Sequence, residues 1–338
     1  MKPIQQFAAF LAAATLIGTA GFAHAKISER TIKFAAQNSK GHPQVMGMER
    51  FAEIVKTKSG GKIEVKLFPG GTLGGDIQTL ASVQGGIVEM SVMNAGILSG
   101  TVKEFGVVDL PFLFATPQEA DAVMDGPIGT KLAERLPAQR LVGLGFWELG
   151  FRHLTNNRHA VNSVKDVKGL KIRTVQSAVP LATFNTLGAN AVPLPYPELY
   201  SALETGTVDG QENPLANIVN AKFTEVQKHL TLTGHQYNPQ IVIVSKVFWD
   251  RLDAEEQKLL QDAATEARDY QRKVSREANA GFLDDIKKSG MQVVELTPDQ
   301  LATFRTAVEP VVAQFRGSIG AETVDAVFTQ LKTLRGGQ

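Results

Sequence analysis

The sequence predicts an α/β protein with two lobes, and three observations support this fold class. Apolar or alternating segments typical of strands alternate with amphipathic helical segments, which indicates sheets that contain parallel strands and carry helices on their faces. The chain has 338 residues, more than the roughly 250 to 300 at which a single hydrophobic core stops growing. A long helical segment begins at Ala254, and it is too long for one small lobe.

In the first half of the chain, strands and helices follow from the spacing of apolar residues. RTIKFAA is mostly apolar, KIEVKL alternates strictly, and apolar or small residues recur at helical spacing between Val45 and Val55. Ligands in such α/β sheets bind beyond the carboxyl ends of the strands. The predicted strands are Arg30–Ala36, Lys62–Leu67 and Met90–Met93, and the predicted helices are Gly41–Lys58 and Asp76–Gln84.

The second half repeats the alternation and ends in the long helix. Asp253 and Glu256 form a capping-box pattern at its start, and at ~1.5 Å per residue it spans about 50 Å. No linker rich in Pro, Gly or Ser separates the lobes, so we expect several chain crossings and a helix that both lobes share. The predicted strands are Leu141–Glu148, Gly169–Val175 and Gln240–Ser245, and the predicted helices are Val179–Leu187, Pro197–Thr205 and Ala254–Ser289.

The N-terminal segment and the composition indicate an exported protein. MKPIQQFAAFLAAATLIGTAGFAHA has a lysine, an apolar run and a small-x-small end, as in a secretory signal peptide cleaved near Ala25. No later segment reaches the roughly 18 uninterrupted apolar residues of a membrane helix. The chain has no cysteine and a net charge of +1, which excludes a disulfide framework and a general attraction to nucleic acid. We expect a periplasmic protein.

Motifs for catalysis, metal binding and phosphate binding are missing. Gly143-x-Gly145 is followed by Glu148 where a dinucleotide loop needs its third glycine. The histidines lack metal-ligand spacing, and no G-x-S-x-G elbow is present. The sequence therefore predicts no cofactor and no metal site. A secreted hydrolase or lyase that uses Glu148, Asp76 or Glu212 as acid or base remains an alternative.

Two arginines, one near the end of a predicted strand and one just after another strand, are candidates for binding an anion. Arg173 ends GLKIR, and Arg152 lies in WELGFRHLTNN; an arginine fork matches a carboxylate with two hydrogen bonds, which lysine cannot do. Alternatively, each is a surface arginine paired with an acid. Nearby, VDGQENP predicts a turn at Asp209-Gly210 and a helix that starts at Asn213-Pro214. We expect the two residues between these signals, Gln211 and Glu212, to brace the segment.

Further candidates have structural alternatives. Tyr196, between two prolines, is a stiff aromatic platform or an edge of the core, and Trp147 is a ligand contact or a core residue. Asp76 binds a ligand or caps a helix. Gln37 and Asn94 follow strands, where amides can donate to hydroxyl groups or lie free at the strand ends.

Several segments together resemble the substrate-binding proteins of tripartite ATP-independent periplasmic (TRAP) transporters, the family of dicarboxylate and sialic acid receptors. The strongest block is GLKIRTVQSAVPLATFNTLGANAVPLPYPELYSALETGTVDGQENP, residues 169–214. Within it, the family has a G-x-K-[IL]-R strand, an L-G-A turn, an aromatic before E-[LV]-Y, and V-D-G-Q-E-N-P. Supporting matches along the chain are His42-Pro43, SGGKIEV, FPGGTLGGD, DLPFLF and FTEVQKHL, in this order. The resemblance covers nearly the whole chain after residue 25.

The resemblance implies a flytrap fold whose lobes close on one ligand, with lobe I at residues 26–150 plus 239–279 and lobe II at 151–238 plus 280–338. It also implies two integral membrane subunits as partners. We expect a monomer that captures an organic acid and carries out no covalent chemistry.

The resemblance also assigns roles to the candidate residues. Arg173 looks like the arginine that clamps the substrate carboxylate, with Arg152 beside it. Asn213 matches an amide at the same carboxylate, and Tyr196 matches an aromatic that packs on the ligand. Polar groups for the distal part of the substrate are expected at Gln37, Asp76 and Asn94.

At Asn94 the chain departs from the acidic residue of sialic acid receptors. Lobe I therefore offers amides and one acid rather than a second cation. From this we expect a hydroxylated monocarboxylate, a sugar acid such as D-glucuronate or D-galacturonate, in preference to a dicarboxylate.

Overall fold

The computed structural model describes residues 27–336, so the predicted signal peptide and its cleavage site lie outside the described residues. The described chain forms a mixed sheet of nine strands with helices on both faces, which confirms the α/β class. The strands are β1 Arg30–Ala36, β2 Ile63–Phe68, β3 Met90–Asn94, β4 Leu141–Asn156, β5 Lys171–Thr174, β6 Asn190–Pro193, β7 Gly210–Asn213, β8 His229–Ser245 and β9 Gln292–Val294.

The helices agree closely with the sequence where capping or apolar spacing is distinct. The long helix runs from Ala254 to Lys288, and Asp253 and Glu256 form the predicted capping box at its start. The α-helices are α1 Pro43–Lys58, α2 Asp76–Gly85, α3 Pro117–Met124, α4 Pro127–Ala133, α5 Ala178–Thr186, α6 Leu199–Glu204, α7 Leu215–Asn220, α8 Lys246–Trp249, α9 Ala254–Lys288, α10 Pro298–Ile319 and α11 Ala321–Gly336.

Two long strands join the lobes into one sheet. The strand order is β2-β1-β3-β8-β4-β7-β5-β6, with β9 beside β8. The outer strands are parallel on each side, whereas β3, β8, β4 and β7 pair in antiparallel fashion. Because β4 and β8 each run through both halves of the sheet, the two lobes share a continuous backbone hydrogen-bond network rather than two separate sheets.

The β4–β8 ribbon is irregular where it passes between the lobes. Its register shifts between Gly143 and Gly145, between Glu148 and Gly150, and between Arg152 and Leu154. Gly145 and Gly150 have φ of 134° and 113°, a region that glycine enters without steric cost. Bulges bend a strand and increase its twist, so the ribbon can turn from one lobe into the other.

Helix α9 packs along both lobes, as its length predicts. It contacts α1 on the first lobe and α7 on the second. Gly47 of α1 permits the close approach, since a Cβ there would lie 2.8 Å from side-chain carbons of Gln271. Arg276 of α9 bonds both Glu148 of β4 and Asp121 of α3. The exact lobe boundaries remain a prediction.

The VDGQENP segment differs from the sequence prediction. Gly210–Asn213 is the buried strand β7, paired with β4 and β5, rather than a turn that leads into a helix. Pro214, not Asn213, is the N-cap residue of the following helix. A Cβ on Gly210 would lie 2.1 Å from the Thr155 carbonyl oxygen, so this glycine is required for close strand packing.

Within residues 27–336, we find no helix that is both long and apolar enough to cross a membrane.

Candidate ligand-binding site

A polar cavity lies between the two lobes, and its free volume of about 20 Å³ is room for about one water molecule, so the lobes must move apart before a larger ligand can enter. Polar residues of both lobes line the cavity, together with a few apolar ones such as Met93 and Val175. The polar lining residues are Gln37, Asn38, Gln44, Asp76, Asn94, Arg173, Tyr196, Asn213, Asn217 and Gln240. Six of the eight predicted contact residues are among the lining residues.

Arg173 brings a buried positive charge to the cavity. Its side chain is 2% exposed, and Nε and Nη2 donate to the Leu194 carbonyl oxygen at 2.9 and 2.7 Å. The remaining nitrogen, Nη1, is buried and has no partner among the described residues. Burial lowers the pKa of Arg173 to about 10, so the guanidinium stays charged at neutral pH. An unpaired buried donor of this kind is suited to a ligand carboxylate.

Tyr196 lies beside Arg173 and links the lobes through Asn217. The Arg173 guanidinium carbon is 5.9 Å from the Tyr196 ring centroid, and the Tyr196 hydroxyl accepts from Asn217 Nδ2 at 3.3 Å. Asn217 also donates to Asn38 Oδ1 at 2.7 Å and lies 3.2 Å from His42 Nε2. Since Asn38 and His42 belong to predicted lobe I, these bonds cross the cleft.

The glycine-rich loop of predicted lobe I forms a second contact across the cleft. Gly71 has a φ of 66°, and a Cβ there would lie 2.5 Å from Pro197 Cγ. At Gly75 a Cβ would lie 3.2 Å from Pro195 Cβ. The prolines that flank Tyr196 therefore pack directly on the glycine loop, and the cleft is closed in this structure.

Asp76 supplies an acceptor to the cavity instead of a helix cap. It is the first residue of α2, whose N-cap is Gly75. Asp76 Oδ1 is buried and has no partner among the described residues. Burial raises the pKa of this carboxyl to about 6, and the charge of Arg173 lowers it in part. Asp76 and Arg173 are therefore close enough to interact, yet they form no ion pair.

Gln37 supplies a second acceptor, and its orientation is fixed. Its Nε2 donates to the Gly74 carbonyl oxygen at 3.1 Å. Because a carbonyl oxygen can only accept, the Gln37 amide nitrogen must face Gly74, and Oε1 must face away from it. Gln37 Oε1 is buried and unpaired within residues 27–336.

Gln240 lines the cavity but was not among the sequence candidates. It begins the apolar run QIVIVS, which reads as an ordinary core strand. In the sheet it lies opposite Asn94 of β3 on one side and Trp147 of β4 on the other. Its Oε1 is also buried and without a partner in the described chain. A lone amide in an apolar strand was the signal that could have identified it.

Arg152 lies next to the cavity but does not line it. Its guanidinium is 1% exposed, and Nε and Nη2 donate to the fully buried carboxylate of Glu212. Nη1 donates to Asn238 Oδ1 at 3.1 Å, and Nη2 also contacts Asn213 Oδ1 at 3.2 Å. Arg152 is therefore paired inside the protein, whereas a direct ligand contact would need a donor that faces the cavity.

Glu212 and Gln211 connect β7 to neighbouring strands, which is the bracing role that the sequence predicts for them. Burial alone would raise the pKa of Glu212, but Arg152 and a hydrogen bond from His235 lower it to about 2. Gln211 donates to Thr155 Oγ1 at 2.9 Å and accepts from Asn213 Nδ2. These bonds fix the Asn213 side chain at the edge of the cavity.

Trp147 lies in the core of the first lobe. Its ring is 1% exposed and packs edge-on against Phe34 at 6.3 Å, and it does not line the cavity. Its neighbour Glu148 accepts from Arg276 at 2.7 Å and from Tyr237 at 3.0 Å. No group of acidic or histidine side chains with the arrangement of a metal site occurs among the described residues.

Two lobes that share crossing strands and close over a polar cavity define a binding protein that encloses a small ligand. The chain belongs to the bacterial extracellular solute-binding protein family 7, whose model matches residues 34–318. This result confirms the TRAP receptor family that the sequence motifs indicate.

Solved structures of similar proteins have the same fold. A TRAP periplasmic solute-binding protein from Ochrobactrum anthropi is 68% identical to this chain, with a TM-score of 0.82. The match covers 92% of this chain and 97% of that chain, and the Ochrobactrum structure has a C-terminus bound in the ligand-binding pocket. A sugar acid binding protein from Advenella mimigardefordensis in complex with galactonate is 41% identical, with a TM-score of 0.89. This match covers 91% of this chain and 99% of that chain. The 2,3-diketo-L-gulonate-binding periplasmic protein YiaO of Escherichia coli is 36% identical over 82% of this chain and 85% of its own.

Proposed function

We propose that this protein is the receptor of a TRAP transporter for a six-carbon sugar acid with one carboxylate and several hydroxyl groups. Once the protein has been exported, it captures the acid, closes over it and delivers it to the membrane subunits of the transporter. Aldonates such as D-galactonate are the first candidates, and the hexuronates D-galacturonate and D-glucuronate are the second. The protein acts as a monomer and does not change the ligand chemically.

The unpaired buried atoms of the cavity carry this proposal. Arg173 Nη1 is a charged donor, whereas Asp76 Oδ1 and Gln37 Oε1 are acceptors. A buried polar atom without a partner costs about 1–3 kcal/mol, so all three favour a ligand that satisfies them. A carboxylate satisfies the donor, and hydroxyl hydrogens satisfy the acceptors. A sugar acid carries both kinds of group on one carbon chain.

The same atoms disfavour a C4-dicarboxylate, which is the alternative ligand class. Other relatives are named as C4-dicarboxylate-binding proteins, so the class is common in the family. Arg152 is neutralised by Glu212 and lies outside the lining. Arg173 is the one cation among the described residues that line the cavity. A second carboxylate would meet Asp76 and the fixed Gln37 oxygen, and like charges in a closed site are strongly unfavourable.

Similar proteins support a carboxylate with a hydroxylated chain. The Advenella relative binds galactonate, and the relative from E. coli is named for a six-carbon keto sugar acid. The Ochrobactrum protein has a C-terminus bound in its ligand-binding pocket, and a polypeptide C-terminus presents one carboxylate. These ligands agree in having one carboxylate each.

A hydrolase or lyase needs an acid and a base that face the same ligand. Of the three carboxylates in that alternative, Glu148 and Glu212 are paired with arginines away from the cavity lining. Asp76 alone among them lines the cavity. Prolonged incubation with the bound acid should return it unchanged and in full; appearance of a product at enzyme concentrations would support the hydrolase or lyase.

A calorimetric panel tests the proposed ligand class. Purified residues 26–338 are titrated with D-galactonate, D-galacturonate, D-glucuronate and succinate, after a thermal-shift screen. A ligand at a hundred times its Kd adds about 2.7 kcal/mol of stability, which a melting curve resolves. We expect at least one sugar acid to bind more tightly than succinate by tenfold or more, and tighter binding of succinate would reject the proposal.

A further inference from the structure

We propose that Gln240 is a specificity residue that bonds a hydroxyl group of the ligand at the end of its carbon chain away from the carboxylate. This inference rests on the proposed function, because it assumes a hydroxylated acid in the cavity. It adds a residue from the strand β8 that crosses between the lobes.

The first argument is that Gln240 has no structural partner. It is 2% exposed, and its side-chain oxygen bonds nothing in residues 27–336. Four apolar residues follow it along β8, and a leucine would satisfy the strand equally well. Replacing an unpaired buried polar group by an apolar one of the same shape is close to neutral or stabilising. The amide therefore has no evident value for folding.

The second argument concerns the neighbours of Gln240. Asn94 lies directly opposite on β3, and Trp147 lies directly opposite on β4. The Asn94 side chain does not cap the short helical turn that follows it, and the Trp147 indole N–H has no partner in the described chain. We call Asn94, Gln240 and Trp147 the polar row. Gln240 is its central member and lines the cavity with Asn94.

The third argument is the position of the polar row relative to Arg173. In the sheet order, β4 and β7 separate Gln240 on β8 from Arg173 on β5. Neighbouring strands lie about 4.8 Å apart, so three spacings separate the two backbones by about 14 Å measured along the sheet. Since both side chains line one cavity, they enter it from opposite sides. A ligand carboxylate on Arg173 therefore places the far end of the carbon chain toward Gln240.

Gln240 also differs from Gln37 in its freedom to turn. The Gly74 carbonyl fixes the Gln37 amide as an acceptor, whereas the Gln240 amide is not bonded to a carbonyl or an N–H that would fix it. An amide can accept through its oxygen and donate through its nitrogen. Gln240 can thus bond a hydroxyl in either direction, which suits the several hydroxyl configurations that sugar acids present.

The test compares Gln240→Leu with wild-type protein in calorimetric titrations of D-galactonate and D-erythronate, which have six and four carbons. The lost hydrogen bond and the unpaired ligand hydroxyl should weaken binding of D-galactonate by about 5- to 100-fold. D-erythronate is two carbons shorter, so we expect its chain to end before Gln240 and its affinity to change by less than threefold. Equal losses for both acids, or no loss for D-galactonate, would overturn the inference.

Ser245→Ala is the matched control. Ser245 lies on the same strand, is fully buried, and has an unpaired hydroxyl in the described chain, but it is outside the cavity lining. It should leave both affinities unchanged. Melting curves of the unliganded proteins separate binding from folding, because Gln240→Leu should melt at or above the wild-type temperature. If wild-type protein binds no sugar acid, the proposed function fails; if it binds D-galactonate and Gln240→Leu binds equally well, this inference alone fails.

Discussion

Replacing Arg173 by lysine separates the charge of this residue from its geometry. The guanidinium holds the Leu194 carbonyl oxygen through Nε and Nη2 while Nη1 remains for the ligand. A lysine ammonium is a single nitrogen on a flexible stem and cannot reproduce this fork. We expect Arg173→Lys to lose one charge-assisted hydrogen bond, about 1.5 to 3 kcal/mol, which corresponds to a 10- to 150-fold weaker affinity at about 1.4 kcal/mol per tenfold.

The assay is calorimetric titration with the tightest acid of the panel at pH 7.5. Arg173→Ala should cost about 2 to 5 kcal/mol, because it leaves a carboxylate buried without its cation. Arg50→Lys is the control, since Arg50 pairs on the surface with Glu53 and Glu266. Wild-type affinity in Arg173→Lys would show that the fork is not used, and wild-type affinity in Arg173→Ala would refute the carboxylate site itself.

Three further predictions concern the buried pair, closure and pH. Glu212→Gln leaves its arginine partner buried without a counter-charge and should cost about 3 to 5 kcal/mol in denaturant unfolding; a cost below about 1 kcal/mol would contradict the buried pair. Gly71→Ala should prevent full closure against Pro197, so that X-ray scattering shows no compaction of the variant when ligand is added. Gly70 also has a positive φ, but a Cβ there would meet only Ser39, so the control variant Gly70→Ala should still become more compact. The pKa of Asp76 is about 6 in the folded protein against an ordinary 3.8, so its ionisation lowers stability as pH rises through that window. Asp76→Asn should exceed wild-type stability by up to about 3 kcal/mol above pH 7 and lose this advantage by about pH 4, as measured by urea unfolding; a pH-independent difference would exclude the raised pKa.

The sequence predicts elements well where the local signal and the tertiary role agree. β1 agrees in both bounds, and α9 ends one residue before the predicted end, because its capping box and apolar spacing are also what the fold requires. The ribbon strands are longer than predicted. β4 continues to Asn156 and β8 begins at His229, since glycines, bulges and polar residues interrupt the pattern where these strands pass between lobes.

β7 could not be predicted from hydrophobic periodicity. Its residues Gly210, Gln211, Glu212 and Asn213 are all buried, yet none is apolar. Their polar atoms bond across the sheet to Arg152 and its neighbours, so the strand is stabilised by pairing that exists only after folding. The same reason hides Gln240, whose polarity is explained by the cavity and not by the strand. Arg173 and Asp76, which line the cavity, were candidates from the sequence because a family motif and a strand or helix end mark them.

The continuous sheet has a consequence for the order in which the parts of the chain can fold. β3 ends at Asn94, but its partner β8 begins only at His229, after β4, β5, β6 and β7. The N-terminal lobe cannot complete its sheet before β8 is in place, and α9, which covers that lobe, lies still further along the chain. With the predicted lobe boundaries the chain passes from the first lobe to the second, back, and to the second again, so neither lobe is expected to form a stable truncated protein, and the unpaired edge of β3 is the place where a chaperone would be needed.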